Sequence, residues 1–188
     1  MTDDSSPLGI FLRWVQYHTV ERSHADPPDR EIDNFICEST AYRRLKEHGL
    51  CQQGVVPDFY GVIEQIDPIP YQPLLKSFLK DKLLPNAILI EYIPDLHEID
   101  FSTFSYDRIT TLRAILENIH QVGIYHGDPY PRNMMVQRDS NRVLWIDFDH
   151  AQTFPESEWN WEWIQDEKEM VDEFLDFLVS TLQLFCWF

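Results

Sequence analysis

The sequence predicts an α+β fold with two layers. Segments of strand character concentrate in the first half of the chain, where short apolar runs are bounded by turn residues. Helical periodicity dominates the second half, where apolar residues recur at three- and four-residue spacing. The chain has 188 residues, of which 44% are hydrophobic and 14% aromatic. This is enough for the packed core of one domain, or of one full lobe with the remnant of another.

The first half predicts strands on either side of one helix. Residues 10–16 form a short apolar run typical of a strand, and a polar loop follows it. Residues 30–48 carry apolar side chains at helical spacing, and Gly49 supplies a C-terminal stop. Residues 55–66 predict a strand or a hairpin. The proline-rich stretch 67–85 predicts an insertion loop with one short helix.

The rest of the chain predicts further strands and two long helices. Residues 87–93 form an apolar run typical of a buried strand. Residues 105–122 predict the clearest helix, because their apolar side chains form one stripe. Two short strands are predicted over 134–136 and 143–146, on either side of a turn. A last helix is predicted over 159–188, aromatic and acidic at its start and amphipathic afterwards.

The net charge of the chain limits the classes of partner that we expect it to bind. Lys and Arg total 15 against 32 Asp and Glu, which gives a formal net charge of -17. Such a surface repels the phosphates of nucleic acids and anionic lipid headgroups, so we expect neither nucleic acid nor membrane as a partner. Any anionic ligand must be bound locally, by a metal ion, by backbone N–H groups or by a few placed cations.

Cysteine usage and the chain ends indicate an intracellular protein. The three cysteines are scattered without C-x-x-C spacing, and buried reduced thiols are the expected state: Cys37, Cys51 and Cys186. The acidic N-terminus lacks the basic-then-apolar order of a secretory signal. The apolar stretch 177–188 is shorter than the roughly 20 residues that a bilayer requires. We expect the cytoplasm or nucleus and no secretion; the sequence indicates no oligomeric state.

The loop at 124–133 carries the side chains best suited to chemistry. It follows the predicted helix 105–122 and contains Asp128 and Asn133 among prolines. Asp147 lies at the end of a later apolar run, and a β-hairpin between the two would return it to the neighbourhood of Asn133. Carboxylate and amide oxygens are hard ligands suited to Mg²⁺, which binds few protein groups together with substrate phosphates. Asp128 is placed to orient a hydroxyl nucleophile and to accept its proton.

The order of these residues resembles a known family. His126, Asp128 and Asn133 form an H-x-D-x-x-x-x-N pattern, and Asp147 begins a D-F-x triplet, similar to the catalytic loop and metal-binding motif of the protein-kinase superfamily. Gly127 in the second position resembles the aminoglycoside and choline kinase branch and fungal kinase-like proteins of the H-G-D type. The resemblance implies Asp128 as catalytic base, Asn133 and Asp147 as Mg²⁺ ligands, and ATP as phosphoryl donor.

Other segments agree with the resemblance in the same order. The strand at 87–93 resembles the hinge, whose backbone binds adenine; the contacts implied are the Glu91 C=O and the Ile93 N–H. Glu38 lies on a helix that resembles the one carrying the glutamate of the family's lysine–glutamate pair. The resemblance covers about residues 30 to 150. It implies a two-lobed kinase-like fold, with a truncated N-terminal lobe sheet and a mainly helical C-terminal lobe.

The expected division is a reduced N-terminal lobe over 1–93, ending in the hinge, and a helical C-terminal lobe over 94–188. The front of the chain departs from the family, because the first lysine is Lys46 and no glycine-rich loop is present. Arg13 is the best positional substitute for the strand lysine, although an arginine fork is not equivalent to a lysine point charge. A truncated gene product, a minimal kinase and a fold kept for binding all fit these departures.

The favoured function is an ATP- and Mg²⁺-dependent phosphotransferase that acts on a hydroxyl of a protein or small molecule. The alternative is a weak or inactive pseudokinase acting as a binding module, and a metal-dependent hydrolase using the same carboxylates ranks third. His126 and His120 are expected to be structural. The acidic cluster near the C-terminus predicts a solvated face, with docking of a cationic substrate as the alternative: Glu156, Glu158, Glu162, Asp166, Glu167, Glu169, Asp172, Glu173 and Asp176.

Overall fold

The computed structural model describes residues 12–18, 29–138, 140 and 142–185. Within these ranges the α+β class is confirmed, with three α-helices and three small antiparallel sheets. The elements in chain order are β1 (Leu12–Tyr17), α1 (Asn34–Glu47), β2 (Phe59–Ile63), β3 (Asn86–Glu91), β4 (Leu96–Glu98), α2 (Tyr106–Gln121), β5 (Ile124–Tyr125), β6 (Met134–Gln137), β7 (Arg142–Trp145), β8 (Gln152–Thr153) and α3 (Trp161–Phe185).

The front layer is a sheet of order β1-β3-β2 that carries α1. Strand β3 is central and runs antiparallel to both neighbours, with Leu12 opposite Glu91 at one end. Helix α1 begins after Asp33, whose side chain accepts hydrogen bonds from the N–H groups of Phe35 and Ile36. Its apolar stripe is buried and includes the fully buried Tyr42. Burial of this stripe, rather than intrinsic propensity, holds the helix in place.

The rear layer places α2 beside a sheet of order β4-β6-β7. Ser105 caps the start of α2 by accepting a hydrogen bond from the Arg108 N–H. Trp145, at the end of β7, is fully buried and donates its indole N–H to the Leu112 carbonyl at 3.0 Å. This bond satisfies the polar end of a large apolar side chain and joins the sheet to the helix. Helix α3 packs against α2 in turn.

Several boundaries differ from the sequence-based predictions. Strands β4, β5 and β8 have only two or three residues each, and runs of that length carry too little alternation to be recognised. The strand predicted in 55–66 is the single strand β2, without a hairpin. The insertion 67–85 contains two short 3₁₀ turns, Ile69–Tyr71 and Lys76–Lys80, instead of one helix. The expected concentration of strands in the first half is wrong, because three of the described strands precede residue 94 and five follow it.

The structure also bears on the predicted state of the cysteines and on membrane-spanning helices. Cys37 and Cys51 are buried free thiols, and burial raises the pKa of each to about 11, so both are protonated at neutral pH. Cys186 lies outside the described residues. No helix in the described part of the chain combines the length and apolar character needed to cross a bilayer.

Candidate active site

The loop at 124–133 is tied at both ends. Gly123 ends the preceding helix with a φ of +77°, and a Cβ there would lie 2.9 Å from the Phe154 carbonyl oxygen, so the close approach requires glycine. Strand β5 then pairs with β8, with Ile124 opposite Thr153. At the other end the Asn133 N–H donates to the Tyr130 carbonyl at 2.9 Å, and the chain enters β6. The segment between is a short connection held by two sheets.

Glu167 holds the start of this loop from α3. Its carboxylate accepts hydrogen bonds from the backbone N–H groups of His126 at 2.9 Å and Gly127 at 2.8 Å. The His120 Nε2 lies 2.8 Å from the same carboxylate. The Glu167 side chain is 1% exposed, so its expected place on a solvated acidic face is wrong. The buried stripe of α3 explains this, because the helical period that includes Ile164 and Val171 also includes position 167.

His126 is a structural residue, as predicted, and the structure shows that it is buried. Its ring is fully buried and lies 5.2 Å from the ring centre of Trp145 and 4.7 Å from that of Phe148. Its Nε2 lies 3.0 Å from the Ile146 carbonyl oxygen, on the strand end that precedes Asp147. Burial lowers the pKa of His126, because a charged ring would lose its hydration. The neutral ring therefore links the loop to the end of the hairpin.

Asp128 lies in a network with two neighbours from its own loop. Its carboxylate is 9% exposed and accepts two hydrogen bonds from the Arg132 Nη2, at 2.5 Å and 2.6 Å. The Asn133 amide nitrogen donates to the Asp128 backbone carbonyl and to its Oδ2, each at 2.9 Å. These bonds orient the amide so that the Asn133 Oδ1 points away from Asp128. The sequence analysis did not assign a role to Arg132.

The predicted hairpin is confirmed, and its open end, away from the turn, brings the two site segments together. Strands β6 and β7 pair with Met134 opposite Trp145, and the Ile146 N–H donates to the Asn133 carbonyl at 3.1 Å. Asp147 follows directly, with a φ of +67°. This left-handed conformation is uncommon for a residue with a side chain, although Asp adopts it more readily than most. Asp147 is thereby brought back beside Asn133 in the backbone.

The side chains of Asn133 and Asp147 fit a Mg²⁺ ion whose remaining ligands are water or phosphate oxygens. Asn133 offers an amide oxygen and Asp147 a carboxylate, both hard oxygen ligands. No group of three or more His, Cys, Asp or Glu within the described ranges is arranged to hold a metal ion. An ion at Asn133 and Asp147 would therefore rely on water and on phosphate oxygens, which is the usual manner of Mg²⁺ in nucleotide sites.

A cavity of about 510 Å³ lies beside the hairpin, and we call it the hinge cavity. Four of the predicted site residues line it: Glu38 from α1, Glu91 and Ile93 from the predicted hinge at the end of β3, and Asp147. Glu38 is 2% exposed, so it is buried in the cavity wall rather than on a solvated face. Asp128 and Asn133 are not among the lining residues. The roles assigned to these residues from the sequence remain predictions.

The side chain of Glu91 is paired with a cation, which was not predicted from the sequence. The Glu91 side chain is bound by Arg142, whose Nη1 and Nη2 donate to its two oxygens at 2.9 Å and 3.1 Å. Burial raises the pKa of Glu91, but the Arg142 hydrogen bonds and the Asp58 N–H outweigh it, and the pKa lies below its ordinary value. The predicted adenine contact uses the Glu91 backbone C=O, because the Glu91 N–H already donates to the Asp58 carbonyl at 2.8 Å. Arg13 lies on β1 opposite Ile90, and its side chain is outside the described part of the structure.

Comparison with known proteins places these residues in a kinase-like segment. Residues 78–166, just under half of the chain, match the model of the Lipopolysaccharide kinase (Kdo/WaaP) family. No curated protein matches the chain. Among solved structures, the Cydia pomonella granulovirus kinase PK-1 is similar with a TM-score of 0.43 and 12% identity, over 76% of this chain and 42% of that one. The chain therefore spans less than half the length of that kinase. The segment that contains Asp128, Asn133 and Asp147 is therefore similar to a family of kinases.

Proposed function

We propose that the chain is an ATP- and Mg²⁺-dependent phosphotransferase of the H-G-D branch, which transfers the γ-phosphate to a hydroxyl of a protein or small molecule. The observation that carries this proposal is the open end of the β6–β7 hairpin, where the backbones of Asn133 and Asp147 become neighbours. There Asn133 donates a hydrogen bond to Asp128, and Asp147 lines the hinge cavity. The similarity of residues 78–166 to a kinase family supports it.

In this proposal residues 1–93 form the reduced N-terminal lobe and residues 94–188 the C-terminal lobe. The nucleotide base lies in the hinge cavity, against the backbone of Glu91 and Ile93. Asn133 and Asp147 hold Mg²⁺, which when bound neutralises negative charge on the phosphates.

Asp128 orients the acceptor hydroxyl and accepts its proton. The hydrogen bond from the Asn133 amide fixes the direction of the Asp128 carboxylate, so the base is held in place before the acceptor arrives. The matched family is named for lipopolysaccharide. A saccharide hydroxyl is therefore one of the acceptors to test.

The test compares ligand-dependent stability with turnover in purified protein. Saturating Mg²⁺-ATP, at about 100 times its Kd, should stabilise the fold by about 2.7 kcal/mol. For a chain of this length that raises Tm by roughly 5–10 °C. Asp147→Ala and Asn133→Ala should lose this increase and the consumption of ATP. Asp107→Asn, an exposed acid in the first turn of α2, serves as the matched control and should keep both. An unchanged increase in Asp147→Ala would reject the proposal.

One observation favours the alternative of a binding module. Both carboxylate oxygens of Asp128 accept hydrogen bonds from Arg132, so the proposed base is already paired with a cation. An incoming hydroxyl would have to share the lone pairs of these oxygens with the guanidinium. If the chain is a binding module, millimolar Mg²⁺-ATP should leave Tm unchanged and no acceptor should stimulate ADP formation.

A further inference from the structure

Arg132 has unused hydrogen-bonding capacity beside the proposed base. A guanidinium carries five N–H donors, and the two contacts with Asp128 are both made by Nη2. Among the described residues no hydrogen-bond partner faces Nη1 or Nε. The side chain is 55% exposed, although its tip contacts a carboxylate that is only 9% exposed. Arg132 therefore presents a donor edge to solvent at the mouth of the candidate site.

Tyr130 holds this edge in position. Its ring centroid lies 4.9 Å from the Arg132 Cζ, within the range of a cation–π contact. Pro129 and Pro131 flank it in the sequence and fix φ on both sides, which limits the conformations of the loop. Tyr130 is 49% exposed, so its ring and hydroxyl also face solvent. The guanidinium is thus bound on one edge by Asp128 and supported on one face by Tyr130.

The negative net charge of the chain makes this exposed guanidinium a selective site for anionic ligands. In a chain of net charge -17, an anionic ligand is repelled unless a local cation binds it. The hinge cavity is lined by acidic residues, including Asp95 and Asp147, and neither Arg132 nor Tyr130 is among its lining residues. Arg132 therefore lies at the solvent side of Asp128, where an acceptor arrives, and not in the wall of the nucleotide cavity.

We propose that Arg132 and Tyr130 bind an anionic group of the acceptor, a phosphate or a carboxylate, and so place a neighbouring hydroxyl at Asp128. This inference rests on the proposed phosphotransferase function and narrows its acceptor class to hydroxyl compounds that carry a negative group. The guanidinium fork matches the oxygens of both groups in geometry and charge. It replaces the expectation of a cationic substrate, which depended on the acidic cluster of α3.

The test uses inorganic phosphate as the probe and the Arg132 side chain as the reporter. In protein labelled with ¹⁵N-arginine, the Nε–Hε signal of Arg132 is assigned by its loss in Arg132→Lys. We expect phosphate to shift this signal saturably in the millimolar range, beyond the effect of sodium chloride at equal ionic strength. Tyr130→Leu should weaken this binding several-fold. Arg43→Gln, at an exposed arginine on α1, is the matched control and should bind phosphate as the wild type does.

A signal that moves no further with phosphate than with sodium chloride, up to roughly 50 mM, would overturn the proposal. A second arm adds saturating Mg²⁺ and a non-hydrolysable ATP analogue. Phosphate binding that persists beside the bound nucleotide supports an acceptor site. A shift caused by the nucleotide alone, with loss of phosphate binding, would assign Arg132 to the γ-phosphate and reject the acceptor assignment. Phosphate binding without any nucleotide binding would support the anion site and reject the proposed phosphotransferase.

Discussion

Replacement of the buried carboxylate of Glu167 tests whether α3 positions the loop at 124–133. In Glu167→Gln the shape is kept, but only one side-chain oxygen remains to accept from the His126 and Gly127 N–H groups and from His120. One buried donor then faces an amide NH₂ group, and the remaining bonds lose their charge assistance. A charge-assisted hydrogen bond contributes about 1.5–3 kcal/mol, so we expect a loss of about 2–4 kcal/mol in the free energy of unfolding.

Urea unfolding gives this difference, and thermal unfolding should show a Tm lower by roughly 5–15 °C. Amide hydrogen exchange at His126 and Gly127 should accelerate, because these are the N–H groups that lose their acceptor. Glu169→Gln, at an exposed position two residues further along α3, is the matched control and should change stability by less than about 0.5 kcal/mol. Equal stability of the two variants, with unchanged exchange in the loop, would refute the anchoring role of Glu167.

Two further predictions concern the same loop. Because burial lowers the pKa of His126 below its ordinary value near 6.5, the unfolded chain binds a proton that the folded chain excludes. The free energy of unfolding should fall by up to about 1.4 kcal/mol per pH unit below about pH 6.5, and urea titrations should show a shallower slope for His126→Gln; equal slopes would contradict the assignment. In Gly127→Ala the added Cβ would lie 2.3 Å from the His150 carbonyl oxygen at a φ of +80°, so a loss of about 3 kcal/mol or more is expected in the same assay. Gly61→Ala separates backbone strain from this clash, since its φ is +137° with nothing within 4 Å; a smaller loss of about 1–2 kcal/mol is expected, and equal losses would contradict the steric argument.

Arg142, on β7, contacts both Glu91 in the predicted hinge and the loop that precedes β2. Its Nε donates to the Gly54 carbonyl at 2.6 Å, and its other nitrogens reach Glu91 and the Val56 carbonyl. One side chain on β7 therefore joins the hinge to the loop that precedes β2. The backbone N–H of Trp145 donates to the Val55 carbonyl at 3.0 Å and holds the same loop against β7. The hinge cavity is thus braced by the hairpin that also carries Asp147.

The features that the sequence determined by itself are local elements of secondary structure and contacts between residues close in sequence. The helix that precedes the loop was recognised because its apolar stripe repeats over many residues, and α2 extends over Tyr106–Gln121. The return of Asp147 to Asn133 was recognised because two short strands with a turn between them have few ways to pair. The structural role of His126 followed from its place in the loop. In each case the partners are near in sequence or belong to one repeating pattern.

The tertiary structure alone decided which distant residues support the site. Glu167 and Arg142 lie on elements far along the chain from the backbone groups that they bind, and single acidic or basic residues carry no signal of their partners. The pairing of Arg132 with Asp128, four residues apart, depended on the direction in which a proline-bounded turn points its side chains. Burial separates these residues from exposed ones of the same type, because a charge leaves water only where hydrogen bonds compensate its lost hydration. That compensation exists only after α3 and the hairpin have packed around the loop.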